Sequence, residues 1–198
     1  MDPALLSLIG FCLTMYITPG PNNVMVASSA AQYGIPATLP HMFGIAIGFA
    51  SMFDIVSAGL GSLLFVWPPL LHVLRWVGAA WMVWLAWKIA TAAPPGTDRR
   101  RRLLGFFGAA GFQWVNPKAW LIAVGAATTF LRPDQPLRVQ LMRFTAIFLV
   151  CGMPCLLVWA SLGSGAGRLL GSRGRLRAFN LTMAALLLTS VVPVLFES

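Results

Sequence analysis

Hydrophobic residues fall in six long blocks separated by short polar stretches, rather than alternating with polar residues at amphipathic spacing. The blocks cover about residues 4–28, 39–66, 70–90, 104–131, 141–162 and 178–196. A helix needs about 20 mostly apolar residues to cross roughly 30 Å of hydrocarbon, and each block is close to that length or longer. The pattern predicts an all-α membrane protein with six transmembrane helices. Two blocks are interrupted by proline, the first at Thr18-Pro19-Gly20-Pro21-Asn22-Asn23 and the fourth at Asn116-Pro117-Lys118. Proline removes an N–H and clashes with the carbonyl four residues back. The carbonyls expected to lose their partners are those of Met15, Ile17 and Gln113. Inside a bilayer, unpaired backbone is tolerated only against protein or a water-filled cavity. Two such breaks therefore predict an internal polar site.

The breaks lie about half the chain apart, and each opens a group of three blocks. Repeat 1 spans about residues 1–91, a linker about 92–103, and repeat 2 about 104–198, all within a single transmembrane domain, 1–198. Three spans per half make the second half enter the membrane from the opposite side. Interrupted segments at matching places in inverted halves point to a binding site near the midplane.

Composition supports the membrane reading. Hydrophobic residues make up 58% and charged residues only 10%, against about 25% charged in soluble domains, and mean hydropathy is +0.79. The start, Met1-Asp2-Pro3, lacks the basic stretch of a signal peptide, so the first block is expected to remain as a helix. The net charge of +9 does not indicate nucleic acid, because no basic surface helix or aromatic-studded polar segment accompanies it. Instead, arginines gather between blocks, at Arg99 to Arg102 and at Arg168, Arg173, Arg175 and Arg177. By the positive-inside rule, segments 92–103 and 163–177 are cytoplasmic and both termini periplasmic. Arg132, Arg138 and Arg143, offset only by Asp134, fall on the other side and oppose this assignment in part.

After Pro21, the early N–H groups of a restarting helix lack partners and favour an anion such as a carboxylate. Carbonyls freed before Pro19 have the opposite polarity and suit an ammonium group. The first break, with Pro19, Gly20, Pro21, Asn22 and Asn23, thus suits both ends of an amino-acid zwitterion; a simple N-cap is the alternative role for Asn22. The second break adds Gln113, Asn116, Pro117 and Lys118. A lysine well inside a span is costly, starting near ~3 kcal/mol, and usually faces a cavity or a partner. Lys118 is a candidate for a substrate carboxylate or for pairing with a protein carboxylate. Asp54, the single acidic residue deep in a block, is the candidate for proton coupling or ammonium recognition; a structural pair with Lys118 or a neighbouring span is the alternative.

Other features carry less chemistry. Cys12, Cys151 and Cys155 lie in apolar blocks and read as small apolar residues; His41 and His72 form no cluster. No metal site or cofactor is expected. Gly44 and Gly48 form a small-residue step that suits close helix packing. Trp76, Trp81 and Trp84 read as lipid-facing or packing aromatics, and Trp87 with Lys88 as an interfacial anchor. The rival classes are a membrane thiol–disulfide electron carrier, which would need a cysteine at each break, and a metal-cation exporter, disfavoured by the few acidic and histidine residues.

Thr18-Pro19-Gly20-Pro21-Asn22 followed by Asn116-Pro117-Lys118 resembles the hallmark of the LysE/RhtB family of amino-acid exporters. Chain length, the six blocks and the basic segment at 99–102 are similar as well. Asn22-Asn23 with Ser28-Ser29-Ala30, and Gly78-Ala79-Ala80 leading to the stretch from Val83 to Thr91, resemble the branch that exports cysteine and O-acetylserine. The resemblance implies efflux of a small amino acid or derivative across a bacterial inner membrane, driven by proton antiport, with substrate, protons and membrane lipid as partners. A homo-oligomer is left open. Gln32-Tyr33-Gly34-Ile35-Pro36 departs from the family, many of whose members carry arginine there.

Overall fold

The computed structural model describes residues 2–60, 69–91, 104–169 and 173–189. All regular structure among them is helical. Helix α1 (Pro3–Ile17) starts with Pro3 in its first turn, where a missing N–H costs nothing, and the Asp2 carboxylate accepts from Ala4 N at 3.0 Å. It stops at Thr18, whose extended backbone is the conformation favoured before a proline. Helix α2 (Pro21–Tyr33) restarts from Pro21, and the pair bends by 54° at the break.

Gly34 alone joins α2 to α3 (Ile35–Ile55). Its φ of +79° is a region that side chains avoid, which is why glycine stands there. Helix α3 continues through a wider turn, Val56–Leu60. Helix α4 is Pro69–Ala90. The fourth block divides into α5 (Phe106–Phe112), a tight turn (Gln113–Val115) and α6 (Pro117–Phe130). Helix α7 (Leu137–Leu169) is the longest, and α8 runs Arg173–Thr189.

By length and composition, Ile35–Gly59 and Leu137–Gly167 can each cross a membrane, and the bent α1–α2 pair makes a third span if counted as one. Large apolar side chains point outward, with Phe107 85% exposed and Val150 71% exposed, as expected where hydrocarbon replaces water. Two expected boundaries need correction. The fifth span does not end at residue 162: α7 continues through Gly163–Leu169 and α8 begins at Arg173, so most of segment 163–177 is helical rather than loop. The second span begins at Ile35 rather than 39, because Pro36 and Pro40 are accommodated within it. Segment 92–103 and residues 61–68 lie outside the described residues.

Helix α7 packs along α1, α2 and α3, while α3 packs on α5 and α4 on α8. Small residues set these distances. A Cβ at Gly163 or Gly167 would overlap the carbonyls of Ala27 or Ala31, and one at Gly44 the carbonyl of Phe106. Gly48 abuts Ala110 in the same way, so the glycine step at 44–48 is a packing surface. The three cysteines are free and buried in the core beside Tyr16. Lys88 sits 4.3 Å from the Trp84 ring centroid, so its aromatic partner is Trp84.

Candidate functional site

The two breaks meet. Lys118 enters from the first turn of α6, and its Nζ donates to the carbonyls of Thr18 at 2.7 Å and Pro19 at 3.3 Å. Its aliphatic stem lies across Gly20, where an added Cβ would come within 2.7 Å of Lys118 Cδ. Glycine is needed there for this approach, not for its backbone angle.

A second bridge joins the breaks one turn on. Asn22 Nδ2 donates to Gln113 Oε1 at 2.9 Å, and Gln113 Nε2 donates back to Asn22 Oδ1 at 3.1 Å and to the Ala109 carbonyl at 2.9 Å. Gln113 is fully buried, so this reciprocal pair satisfies amide groups that would otherwise be stranded in a low-dielectric interior. Replacing Asn22 by leucine leaves the Gln113 amide with a lost donor and acceptor. Asn22→Leu is therefore expected to lower the thermal midpoint of the purified protein by several degrees, with Asn22→Gln less damaging.

The expected free carbonyls are mostly occupied. Ile17 O accepts from Trp159 Nε1 at 3.1 Å, and Gln113 O from Asn116 N at 3.3 Å through the tight turn. Asn23 Nδ2 donates to Tyr16 O and Thr18 O, both at 2.8 Å. The expectation that carbonyls before Pro19 await a substrate ammonium is thus corrected for Thr18: the ammonium that it holds, together with the Pro19 carbonyl, belongs to Lys118. Asn116 caps α6, its Oδ1 accepting from Lys118 N at 3.1 Å.

These groups border a cleft of about 370 Å³, part of it open to the outside. Its polar wall is Asn22, Asn23, Asn116 and Lys118, with Gly20 and Pro21 beside them; Tyr16, Phe49 and Ile122 supply apolar wall. Pro19 and Pro117 shape the two turns without lining the cleft, and Gln113 stands behind Asn22. Asp54 is elsewhere: it accepts from Thr145 Oγ1 on α7 at 3.2 Å and 3.3 Å, and it neither lines the cleft nor bonds Lys118. Sequence reading missed Tyr16, Phe49 and Trp159. Tyr16, a phenol just before the first break, carried a usable signal; the other two carried none.

The LysE type translocator model matches residues 13–197, a stretch that contains both breaks and nearly every helix described above. The chain belongs to the LysE type translocator family. It is a membrane translocator rather than an enzyme. The cysteine/O-acetylserine efflux protein of Salmonella typhimurium strain LT2 is 32% identical over 197 residues, 99% of this chain and the whole of that protein. The protein of the same name from Escherichia coli O157:H7 is 32% identical over 198 residues, with the same coverage. No solved structure matches the chain. The cleft between the breaks sets Asn22, Asn23, Asn116 and Lys118 against the apolar side chains of Tyr16, Phe49 and Ile122.

Proposed function

We propose that this LysE-family translocator exports a small amino acid, cysteine or O-acetylserine by analogy with its relatives, and that the cleft between the two breaks binds it. The observation that carries this reading is the Lys118 ammonium, drawn from one break onto the carbonyls of the other. An ammonium has three donors. Two are used by Thr18 O and Pro19 O, leaving the third for the carboxylate of an amino acid. Asn23 Oδ1 has no partner among the described hydrogen bonds and faces the same cleft, which suits the substrate's ammonium end. The apolar wall of Tyr16, Phe49 and Ile122 accommodates a short side chain.

In this reading the chain forms six spans in two inverted repeats, as one domain in a bacterial inner membrane with both termini periplasmic. The halves rock around the cleft, and proton antiport drives export. Cells overexpressing the chain should hold less cysteine and O-acetylserine and resist toxic analogues; unchanged pools and unchanged resistance would refute the reading. Asp54, fastened to Thr145 between α3 and α7, is the proposed coupling residue. Asp54→Asn is expected to abolish the dependence of efflux on a pH gradient while leaving substrate binding to the purified protein within about twofold. Retained gradient dependence would remove Asp54 from the mechanism. The thiol-carrier alternative finds no support in the geometry, since both breaks lack cysteine.

A further inference from the structure

A second cavity, of about 450 Å³ with much of it open to the outside, lies where the start of α1, the end of α6 and the start of α7 come together. Arg132, Arg143, Gln135 and Asp2 line it, with Gln140 and Phe144 in its wall. The segment that carries Arg132 is tightly built. Gln140, buried at the first turn of α7, accepts from Arg132 N at 2.8 Å and donates to Arg132 O at 2.8 Å and Gln135 O at 3.0 Å. This clamp uses only the backbone of Arg132. Both guanidinium groups are exposed, and no hydrogen bond to either is found among the described residues.

A column of aromatic rings separates this cavity from the cleft. Tyr16 and Phe49 line the cleft, and Phe144 lines the second cavity. Between them, Phe49 meets Phe148 at 5.0 Å, Phe148 meets Phe53 at 4.9 Å, and Phe53 stacks on Phe144 at 5.1 Å with planes 10° apart. The Asp54–Thr145 hydrogen bond follows directly in sequence on both helices of this contact and fastens α3 to α7 beside it. The rings come from α1, α3 and α7, and α6 packs against them through Ala119, Ile122 and Ala123; a path between the two cavities would require α3 to part from α7.

The charge of the second cavity is also unexplained by membrane orientation. Under the assignment above, Arg132 and Arg143 lie on the periplasmic side, where the positive-inside rule gives arginine no role. A guanidinium fork matches a carboxylate in geometry as well as charge, and Asp2 across the cavity offers the opposite charge for an ammonium. We propose that this cavity is a second binding site for the exported amino acid, recognising its carboxylate through Arg132 and Arg143 and reached from the cleft through the aromatic column.

This inference rests on the efflux reading, and the test separates the two. Purified protein is reconstituted into vesicles loaded with labelled O-acetylserine, alongside equilibrium dialysis for binding stoichiometry. The wild type is expected to bind two molecules, and the double variant Arg132→Gln/Arg143→Gln one, with efflux slowed about tenfold. Both side chains are exposed, so these substitutions leave the fold in place. Unchanged efflux in the double variant, with a single site in the wild type, would overturn the second site and leave the cleft intact as the binding site. Loss of the arginine effect in vesicles lacking anionic lipid would show that the guanidiniums hold lipid phosphate, and would overturn it too. A wild type that moves no amino acid would overturn both readings.

Discussion

Lys118→Met is expected to lower amino-acid efflux by about 100-fold or more while the protein still reaches the membrane. The substitution keeps the aliphatic stem that lies across Gly20 but removes the charge. Two carbonyls, those of Thr18 and Pro19, then lose their charged donor. A hydrogen bond to a charged group is worth about 1.5–3 kcal/mol, and each factor of ten in rate corresponds to about 1.4 kcal/mol. Loss of the third donor, proposed to meet the substrate carboxylate, accounts for about one to two decades, and the two stranded carbonyls for the rest. Lys118→Arg is expected to recover only part of the activity. A planar fork cannot converge on two adjacent carbonyls and a substrate as a compact ammonium can. Efflux from loaded vesicles, normalised to protein in the membrane, checks both. Wild-type rates for Lys118→Met would mean that the bridge between the breaks is structural and that the substrate is held elsewhere.

Gly163→Ala is expected to remove most of the folded protein, although it adds one methyl group. That methyl would fall on the Ala27 carbonyl, which belongs to α2 backbone and has no flexible end to move away. Overpacking of a rigid contact typically costs 1–3 kcal/mol, sometimes more. The strain here would part α2 from α7 where their backbones touch and carry Asn22 and Asn23 away from the second break. Gly165→Ala, two residues on, is the control, because nothing lies within 4 Å of its added Cβ. Size-exclusion profiles and thermal midpoints of detergent-solubilised protein should separate the two variants clearly. Equal behaviour would show that α2 and α7 are not closely packed in the membrane.

The same contacts explain how the broken backbone is kept inside apolar surroundings. Backbone broken by proline is stable in hydrocarbon only when other groups take over its hydrogen bonds. Here the replacements are side chains: Asn23 for Tyr16 and Thr18, Trp159 for Ile17, Lys118 for Thr18 and Pro19. Most of the polar surface freed by the breaks is therefore already matched. What remains open is the small cleft beside Asn22, Asn23, Asn116 and Lys118.

Much of this was legible along the chain. Block length and low charge determined a helical membrane protein, because the bilayer demands about 20 apolar residues per crossing. At Pro19, Pro21 and Pro117 the prolines mark helix ends, with α1 stopping at Ile17 and α2 and α6 starting at Pro21 and Pro117, whereas Pro40 and Pro154 lie inside α3 and α7. The capping role of Asn116 at the head of α6 came from the structure, since the sequence reading offered a cap only at Asn22. Local sequence did not determine the end of α7, because Gly163, Ser164, Gly165 and Gly167 read as loop until α2 is known to lie against them; close packing overrides their weak helix preference. Nor did it decide what Lys118 and Asp54 touch. Periodicity says which residues share a helix face but not which faces meet. The bond from Lys118 to Thr18 and the bond from Thr145 to Asp54 span about half the chain each, and only the folded arrangement of α1, α3, α6 and α7 brings them into reach.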